Sequence, residues 1–349
     1  MDAFFAAIEE RDTPALRGVP LVVGADPRGG KGRGVASTSN YLARAYGIHS
    51  ATPISTAWRL SEAARRAGKP PVTFVSVDMP KYARVSEEVM GIVRRFIPLV
   101  EQASIDEAYG DVSFTGSYEA AEGLCRRVKE AIRSEEQLTG SIGIGSNKLI
   151  AKIASGMHKP DGLTVVREED AESFLAPLSV RAIPGIGPKT EVMLAERGIK
   201  LVQDLKPLSI HQLEALFGKR GRDLYDNIRG RDESPVEEYS EPKSIGEQET
   251  FESDTLDSHT LLHELDVLAQ GVIDRLHREG FHAFRTVVLT VRFADFETKS
   301  RSHTLALPAG DRATLHREAL KLLMPFLDRR ENPRRKLIRL LGVRVEKLE

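Results

Sequence analysis

Two adjacent carboxylates, Asp106 and Glu107, stand in the run Ser104-Ile105-Asp106-Glu107-Ala108-Tyr109, inside an otherwise apolar strand pattern. A regular strand sends neighbouring side chains to opposite faces, so the two converge only at a turn or bulge. Uncompensated carboxylates in a core are costly, and a bound cation is the usual remedy. Hard oxygen donors suit Mg²⁺, which commonly takes one or two carboxylates and completes its shell with substrate phosphates. A pair of acids at an exposed hairpin end is the plain alternative, and the spacing alone leaves both open.

The chain around this run is 349 residues long, enough for two to four domains. Residues 1–70 mix short apolar runs with a Gly-rich basic loop from Asp26 to Gly34, and a helical-looking stretch from Ser39 to Tyr46. Residues 74–166 look α/β. A strand is expected at Phe74 to Val77, a helix at Ser86 to Phe96 and a strand–turn–strand over 99–114. A second helix is expected at Tyr118 to Arg133 and a further strand at Ser141 to Ile144. Beyond residue 170 the texture changes to short helices with Gly/Pro punctuation. The acidic, proline-bearing stretch from Glu233 to Pro242 reads as a linker. After it, helices are expected at Leu261 to Glu279 and Ala313 to Leu327, with strands at Thr286 to Phe293, Lys299 to Leu307 and Leu337 to Val345.

Composition excludes several classes. Hydrophobic residues at 41% and charged residues at 29% describe a globular chain rather than a disordered one. No run of 18 apolar residues offers a transmembrane helix, and the acids in the opening Met1 to Asp12 argue against a signal peptide. The single cysteine, Cys125, rules out an internal disulfide framework and a multi-cysteine zinc site. The expected location is the cytoplasm, away from membranes. A net charge of −1 hides an acidic cluster from Glu237 to Asp254 and a basic one from Arg329 to Arg339; a polyanion responds to the local patch.

Three further segments bear on phosphate binding. Thr38, Tyr41 and Arg44 are spaced by three, so a helix starting there presents all three on one face, an arrangement that suits a polyphosphate or a plain capped helix. The run from Gly143 to Lys148 matches neither the Walker nor the dinucleotide fingerprint; further on, Lys159, in a turn with Pro160 and Gly162, is placed to deliver a point charge. Ile183-Pro184-Gly185-Ile186-Gly187-Pro188-Lys189 reads as the hairpin of a helix-hairpin-helix, whose amides and Lys189 contact DNA backbone without reading bases, with an ordinary helical turn as the plain alternative. Lys219 and Arg220 repeat that chemistry. Arg285, Arg292, Lys299 and Arg301 lie on or beside expected strands and could track a backbone. Phe4 and Phe5 by themselves read as core.

In combination these segments resemble the Y-family DNA polymerases of the bacterial DNA polymerase IV type, over essentially the whole chain. Asp2 to Glu9 is similar to the opening motif, Ser37 to Arg44 to the fingers motif and Ser104 to Tyr109 to the palm acidic motif. Ser141 to Gly162 resembles the segment ending in the phosphate lysine, and Ile183 to Lys189 the thumb hairpin. The resemblance implies an α/β and α+β multidomain right-hand polymerase. Its palm would span 1–10 and 71–166, small fingers 11–70, a helix-hairpin-helix thumb 167–232, a linker 233–242 and a C-terminal little finger 243–349.

The resemblance also implies roles. Asp106 is a metal ligand, Glu107 the companion catalytic acid and the Met1 carbonyl a further metal donor. Phe5 is the steric gate against a ribose 2′-OH, and Tyr41, Arg44 and Lys159 grip the triphosphate with Thr38 close by. Two Mg²⁺ ions would serve nucleotidyl transfer, one at the primer 3′-OH and one at the leaving pyrophosphate. Partners would be primer-template DNA and deoxynucleoside triphosphates. Copying would be of the translesion type, of low fidelity and without proofreading, by a monomer. A sliding clamp stays open as a partner, although no clamp peptide is visible after Leu341 to Glu349.

One departure concerns the opening motif. In the family it begins with a strand and an Asp two positions ahead of Asp2, a principal metal ligand; the sequence begins at Met1. The expectation is a start further upstream or, failing that, an impaired enzyme, and Asp2 is not promoted in its place. Gly110 also stands where the family has a bulkier apolar residue. The competing reading is a catalytically impaired DNA-binding scaffold of the same fold in a mutagenic repair complex; retention of Asp106 and Glu107 favours the enzyme. A helix-hairpin-helix repair protein would leave the palm motif unexplained.

Overall fold

The computed structural model describes residues 1–239 and 241–349, in two compact units that divide after Tyr239. In the first, α1 (Phe4–Asp12) precedes a sheet of β1 (Leu21–Gly24), β2 (Ala36–Ser39) and β3 (Thr73–Ser76), ordered β2-β1-β3 with β2 antiparallel and β3 parallel to β1. All four residues of β1 are buried, and strand alternation divides them between two cores. Leu21 and Val23 join Phe4, Ile8, Tyr82 and Ile132, whereas Val22 joins Ala36, Ile48, Ile54 and Val72. The short α2 (Tyr41–Arg44) and α3 (Ile54–Arg66) complete the second core.

Next come two long amphipathic helices. In α4 (Met79–Phe96), capped by the Asp78 carboxylate on the Lys81 amide, the buried Tyr82, Val85, Ser86, Val89, Met90 and Ile92 recur at helical spacing. In α5 (Tyr118–Glu136), capped by Ser117, the buried set is Ala121, Leu124, Cys125, Val128 and Ile132. They support two small sheets: the antiparallel hairpin of β4 (Val100–Gln102) and β5 (Ala108–Gly110), and the parallel pair β6 (Ile142–Ile144) and β7 (Leu163–Val165). Parallel pairing needs a crossover, which α6 (Lys148–Gly156) supplies. A cavity of about 750 Å³ lies between the sheets, lined by residues of β5, β6, α4 and α5. The first two residues bridge it: Met1 N donates to the Asp106 carbonyl at 2.6 Å and Asp2 N to the Thr139 carbonyl at 3.1 Å.

Helices α7 (Ala171–Leu175), α8 (Pro188–Ala195), α9 (Val202–Leu205), α10 (Ile210–Phe217) and α11 (Arg220–Asn227) close round a separate core of Ile183, Ile186, Leu194, Leu213 and Leu224, shared with Leu149 and Ile150 of α6. The second unit comprises β8 (Ser244–Thr255), α12 (Ser258–Arg278), β9 (Phe284–Phe293), β10 (Thr298–Ala309), α13 (Arg312–Leu327) and β11 (Ile338–Leu348). Its antiparallel sheet is ordered β10-β9-β11-β8. Val287, Leu289, Val291, Leu341 and Val343 pack against Leu265, Leu268 and Val272 of α12 and Leu315 and Leu323 of α13. Among the described residues no helix is long and apolar enough to cross a membrane.

The structure corrects several expectations. The helix expected from Ser39 to Tyr46 is confined to Tyr41–Arg44, because Asn40 ends β2 and caps α2 at once. Its side-chain oxygen accepts from Leu21 N (3.0 Å) and Ala43 N (2.9 Å), and its amide donates to Glu10 and to the Val19 carbonyl. Thr38 therefore lies in β2, paired with Val23, and does not share a helix face with Tyr41 and Arg44. Elements α1, α3, β2, β7 and β8 were not foreseen. In β8, Glu247 and Glu249 pair with Val343 and Leu341, on the helix-bearing face of an edge strand, where apolar residues would have marked the alternation.

Candidate active site

The acidic run forms the turn between β4 and β5. Ala103 N and Ser104 N both donate to the Glu107 carbonyl, at 3.0 and 3.1 Å, closing the turn. Ile105 packs toward the core and its carbonyl accepts from Ser86 Oγ of α4, which anchors the turn from beneath. The two acids thus stand at a hairpin turn: Asp106 is half-buried, Glu107 exposed, and both line the cavity with Met1, Lys152 and Lys159. Asp106 Oδ1 accepts from Ser104 Oγ at 3.0 Å, and Glu107 forms an ion pair with Lys152 of α6. Burial opposes ionisation of Glu107, but the hydrogen bond and charge of Lys152, with Lys159 behind them, outweigh it and hold the carboxyl below its ordinary range.

The donors at this turn are hard oxygens. They fit a magnesium ion that takes few protein ligands and fills its shell with phosphate and water; among the described residues no group of three His, Cys, Asp or Glu gathers for a metal, at this turn or elsewhere.

Lys159 is carried by the turn that joins α6 to β7. Its Nζ donates to the Met1 carbonyl at 3.2 Å and lies 3.8 Å from Asp2 Oδ1. A Cβ on Gly162 would fall 2.4 Å from the His158 carbonyl oxygen, so only glycine closes the turn this tightly. Asp161, at a left-handed φ of 58°, is held through its carboxylate by Lys129 (2.7 Å) and Arg133. Burial works against that carboxylate, and the two cations overcome it to lower its pKa.

Tyr41 and Arg44 are one turn apart on α2. The Arg44 guanidinium lies 4.6 Å from the centre of the Tyr41 ring, and its Nε donates to the Ser39 carbonyl at 3.1 Å. The Tyr41 hydroxyl is shielded from solvent; burial, then the charge of Asp2, raises its pKa against the pull of Arg44. Phe5 of α1 is half-buried and stacks on Tyr82, whose hydroxyl donates to Glu9 at 2.7 Å. Lys152, Tyr82 and Asp2 were not assigned from sequence. Lys152 carries the one legible signal: with Lys148 it forms an i, i+4 pair on α6, opposite Leu149, Ile150 and Ile153, and the two lysines meet Glu107 and Glu101 of the acidic hairpin.

The expected helix-hairpin-helix joins a one-turn helix, Val180–Ala182, to α8. Ile183 and Ile186 are buried and Pro184 and Gly185 exposed; Gly185 has φ 91°, and Gly187 caps α8. Arg181 donates to the Ile186 carbonyl at 2.9 Å. A second tight connection, Gly218 and Lys219, joins α10 to α11. Arg220 reaches back to the first hairpin, 3.9 Å from where a Cβ on Gly185 would stand. Lys189, Lys219 and Arg220 are exposed.

In the second unit the strand pairs set the faces. Arg292 pairs with Thr298 and shares the helix-free face with Thr286, Thr290, Ser300 and Thr304. Lys299 and Arg301 pair with the core residues Val291 and Leu289, so they lie on the helix-bearing side, both engaged by Glu331. The structure thus does not bring these three bases together.

The impB/mucB/samB family model matches residues 1–156, its C-terminal domain model residues 242–349, and the model of the DNA polymerase-iota thumb domain residues 181–232. DNA polymerase IV 2 of Methanosarcina mazei is 43% identical over 349 residues, all of this chain and 90% of that protein. DNA polymerase IV of Streptococcus suis is 41% identical over 346 residues, 99% of this chain and 94% of that one. Among solved structures, a Y-family DNA polymerase chimera of Dbh and Dpo4 superposes with a TM-score of 0.86 at 28% identity, covering 99% of this chain and 97% of its own. The insertion ternary complex of Dbh DNA polymerase gives 0.68 at 27% identity, with 99% and 97% covered.

Fold and site together define a right-hand DNA-directed DNA polymerase, with palm, small fingers, helix-hairpin-helix thumb and C-terminal little finger. The chain belongs to the Y family of DNA polymerases, among the DNA polymerase IV enzymes, and is a translesion polymerase. Nothing favours the impaired scaffold.

Proposed function

We propose that the cavity edge formed by Met1, Asp106, Glu107 and Lys159 is where a deoxynucleoside triphosphate meets a primer 3′-OH on template DNA. The observation that carries this reading is one cavity lined by two adjacent carboxylates and a lysine at the end of a rigid turn. Asp106 and Glu107 with the Met1 carbonyl would hold two Mg²⁺ ions, which when bound neutralise charge developing on the transferred phosphate. Lys159, Tyr41 and Arg44 bind and orient the triphosphate, with the Thr38 hydroxyl on β2 beside them. The Phe5 ring is the steric gate. Lys152 holds Glu107 in place before substrate arrives.

DNA binding on this reading rests on the amides of Gly185 and Gly187 with Lys189, Lys219 and Arg220 in the thumb. In the little finger it rests on Arg292; Lys299 and Arg301, from the far face, act at the sheet edge. The palm comprises 1–10 and 71–166, the fingers 11–70, the thumb 167–232, the linker 233–242 and the little finger 243–349. Fingers built on a four-residue α2 and the single longer α3 enclose little of the nascent pair, which supports tolerant, low-fidelity copying without proofreading by a cytoplasmic monomer. Primer-template DNA and dNTPs as partners agree with the Dbh polymerase solved as an insertion ternary complex; a sliding clamp is a further partner to test. The reading is tested by Mg²⁺-dependent primer extension with this chain and with a form carrying an apolar, aspartate-bearing strand ahead of Met1. Failure of the extended form to add a single nucleotide rejects it.

A further inference from the structure

Asp2 is only 3% exposed and has no part in the chemistry above. Its Oδ1 accepts from Ser141 Oγ at 2.8 Å and its Oδ2 from Asp161 N at 2.8 Å. Ser141 Oγ in turn accepts from Gly162 N at 3.1 Å. Two consecutive amides of the turn bearing Lys159 are therefore held from the start of α1, one directly and one through a serine at the entry to β6. The same carboxylate lies 3.8 Å from Lys159 Nζ, and its charge is felt at the Tyr41 hydroxyl.

We propose that Asp2 is a positioning residue for the incoming triphosphate: by fixing residues 158–162 it sets where Lys159 Nζ stands. A lysine stem is flexible, and its ammonium binds phosphate as a point charge. Anchoring the backbone beneath it and offering a buried carboxylate beside it removes much of the ordering cost on binding. The inference rests on the reading of Lys159 as a triphosphate anchor.

The test measures the Kd of a dNTP for the enzyme on DNA with a dideoxy-terminated primer, alongside DNA affinity and the thermal midpoint. Asp2→Asn keeps the size and one acceptor; it should raise the dNTP Kd about tenfold, the scale of one charge-assisted contact, with DNA affinity unchanged. Ser141→Ala should shift it less, in the same direction. Because Asp2 acts through Lys159, the double variant Asp2→Asn/Lys159→Ala should bind dNTP no more weakly than Lys159→Ala alone. Multiplying effects, or an unchanged Kd in Asp2→Asn, overturn the proposal while leaving the Lys159 reading intact. An unchanged Kd in Lys159→Ala overturns both. If Asp2→Asn does not fold, the same cycle with Ser141→Ala decides.

Discussion

The ring of Phe5 stacks on that of Tyr82 with centroids 4.2 Å apart and planes 12° from parallel. Tyr82 is fully buried and tied to Glu9, itself ion-paired with Lys81. A gate is selective only if it cannot swing aside, and this contact holds the Phe5 ring against a fixed surface. Phe5→Ala should therefore raise ribonucleotide incorporation relative to deoxyribonucleotide by about 100-fold or more, the discrimination a shaped pocket can reach. Tyr82→Leu should relax it partly. Tyr82→Phe keeps the stack and should keep the discrimination, at about 2 kcal/mol of stability for the lost hydrogen bond to a carboxylate. Competing rNTP and dNTP single-nucleotide insertion is the measurement; unchanged sugar preference in Phe5→Ala removes the gate.

Asp106 separates chemistry from binding. Among the described residues its carboxylate is hydrogen-bonded only within its own turn, to Ser104 Oγ, and the basic groups of the thumb lie on other elements. In a form that extends primers, Asp106→Ala should lower the extension rate by about 1,000-fold, as expected when a group stabilising transition-state charge is lost. Its DNA Kd should stay within about twofold, since the substitution removes one carboxylate and none of the cations on which the electrostatic term rests. A gel-shift titration beside the extension assay distinguishes this from a general loss of DNA.

Asp161 gives a pH signature. Lys129 and Arg133 depress its folded pKa, so it contributes stability at pH values above the unfolded carboxylate pKa. As pH falls through that ordinary value, about 4, the unfolded chain takes up a proton before the folded one does, and the contribution declines. It is gone once pH passes below the depressed folded value. The difference in thermal midpoint between the protein and Asp161→Asn should thus be full at neutral pH and shrink only on the acid side. A difference that persists unchanged in acid would show that the ion pairs are not its source.

The acidic turn and the thumb hairpin were legible because local chemistry defines them. Adjacent acids inside a strand pattern converge only at a turn or bulge, and Ile183 to Lys189 carries its own glycines, prolines and base. Thr38 was misplaced because the decisive residue is Asn40, whose capping and strand-closing bonds reach to Leu21 and Val19. Asp2 was given no role because its partners, Ser141 and Asp161, are far along the chain. The strand β8 was masked by Glu247 and Glu249 facing its helix side. Likewise, nothing in the spacing of Arg292, Lys299 and Arg301 could reveal which face each takes, since that depends on the β9–β10 register.

That register makes the last prediction. Paired residues share a face, so Arg292 stands opposite Thr298 among cross-strand hydroxyl pairs such as Thr290 with Ser300 (3.1 Å). Lys299 and Arg301 turn away and are engaged by Glu331. A cation already paired with a carboxylate displaces fewer phosphate counterions than a free one. Each base that contacts a phosphate adds about 0.9 to the salt slope of DNA binding. Lys189→Ala, Arg220→Ala and Arg292→Ala should therefore each lower the slope by nearly one. Lys299→Ala and Arg301→Ala should lower it by clearly less, and Glu331→Gln, which removes the carboxylate paired with Arg301 but keeps the backbone carbonyl that holds Lys299, should steepen it. Measuring DNA Kd across a salt series for these variants decides between faces: equal losses for Arg292 and Lys299 would mean that DNA engages the sheet edge rather than its open face.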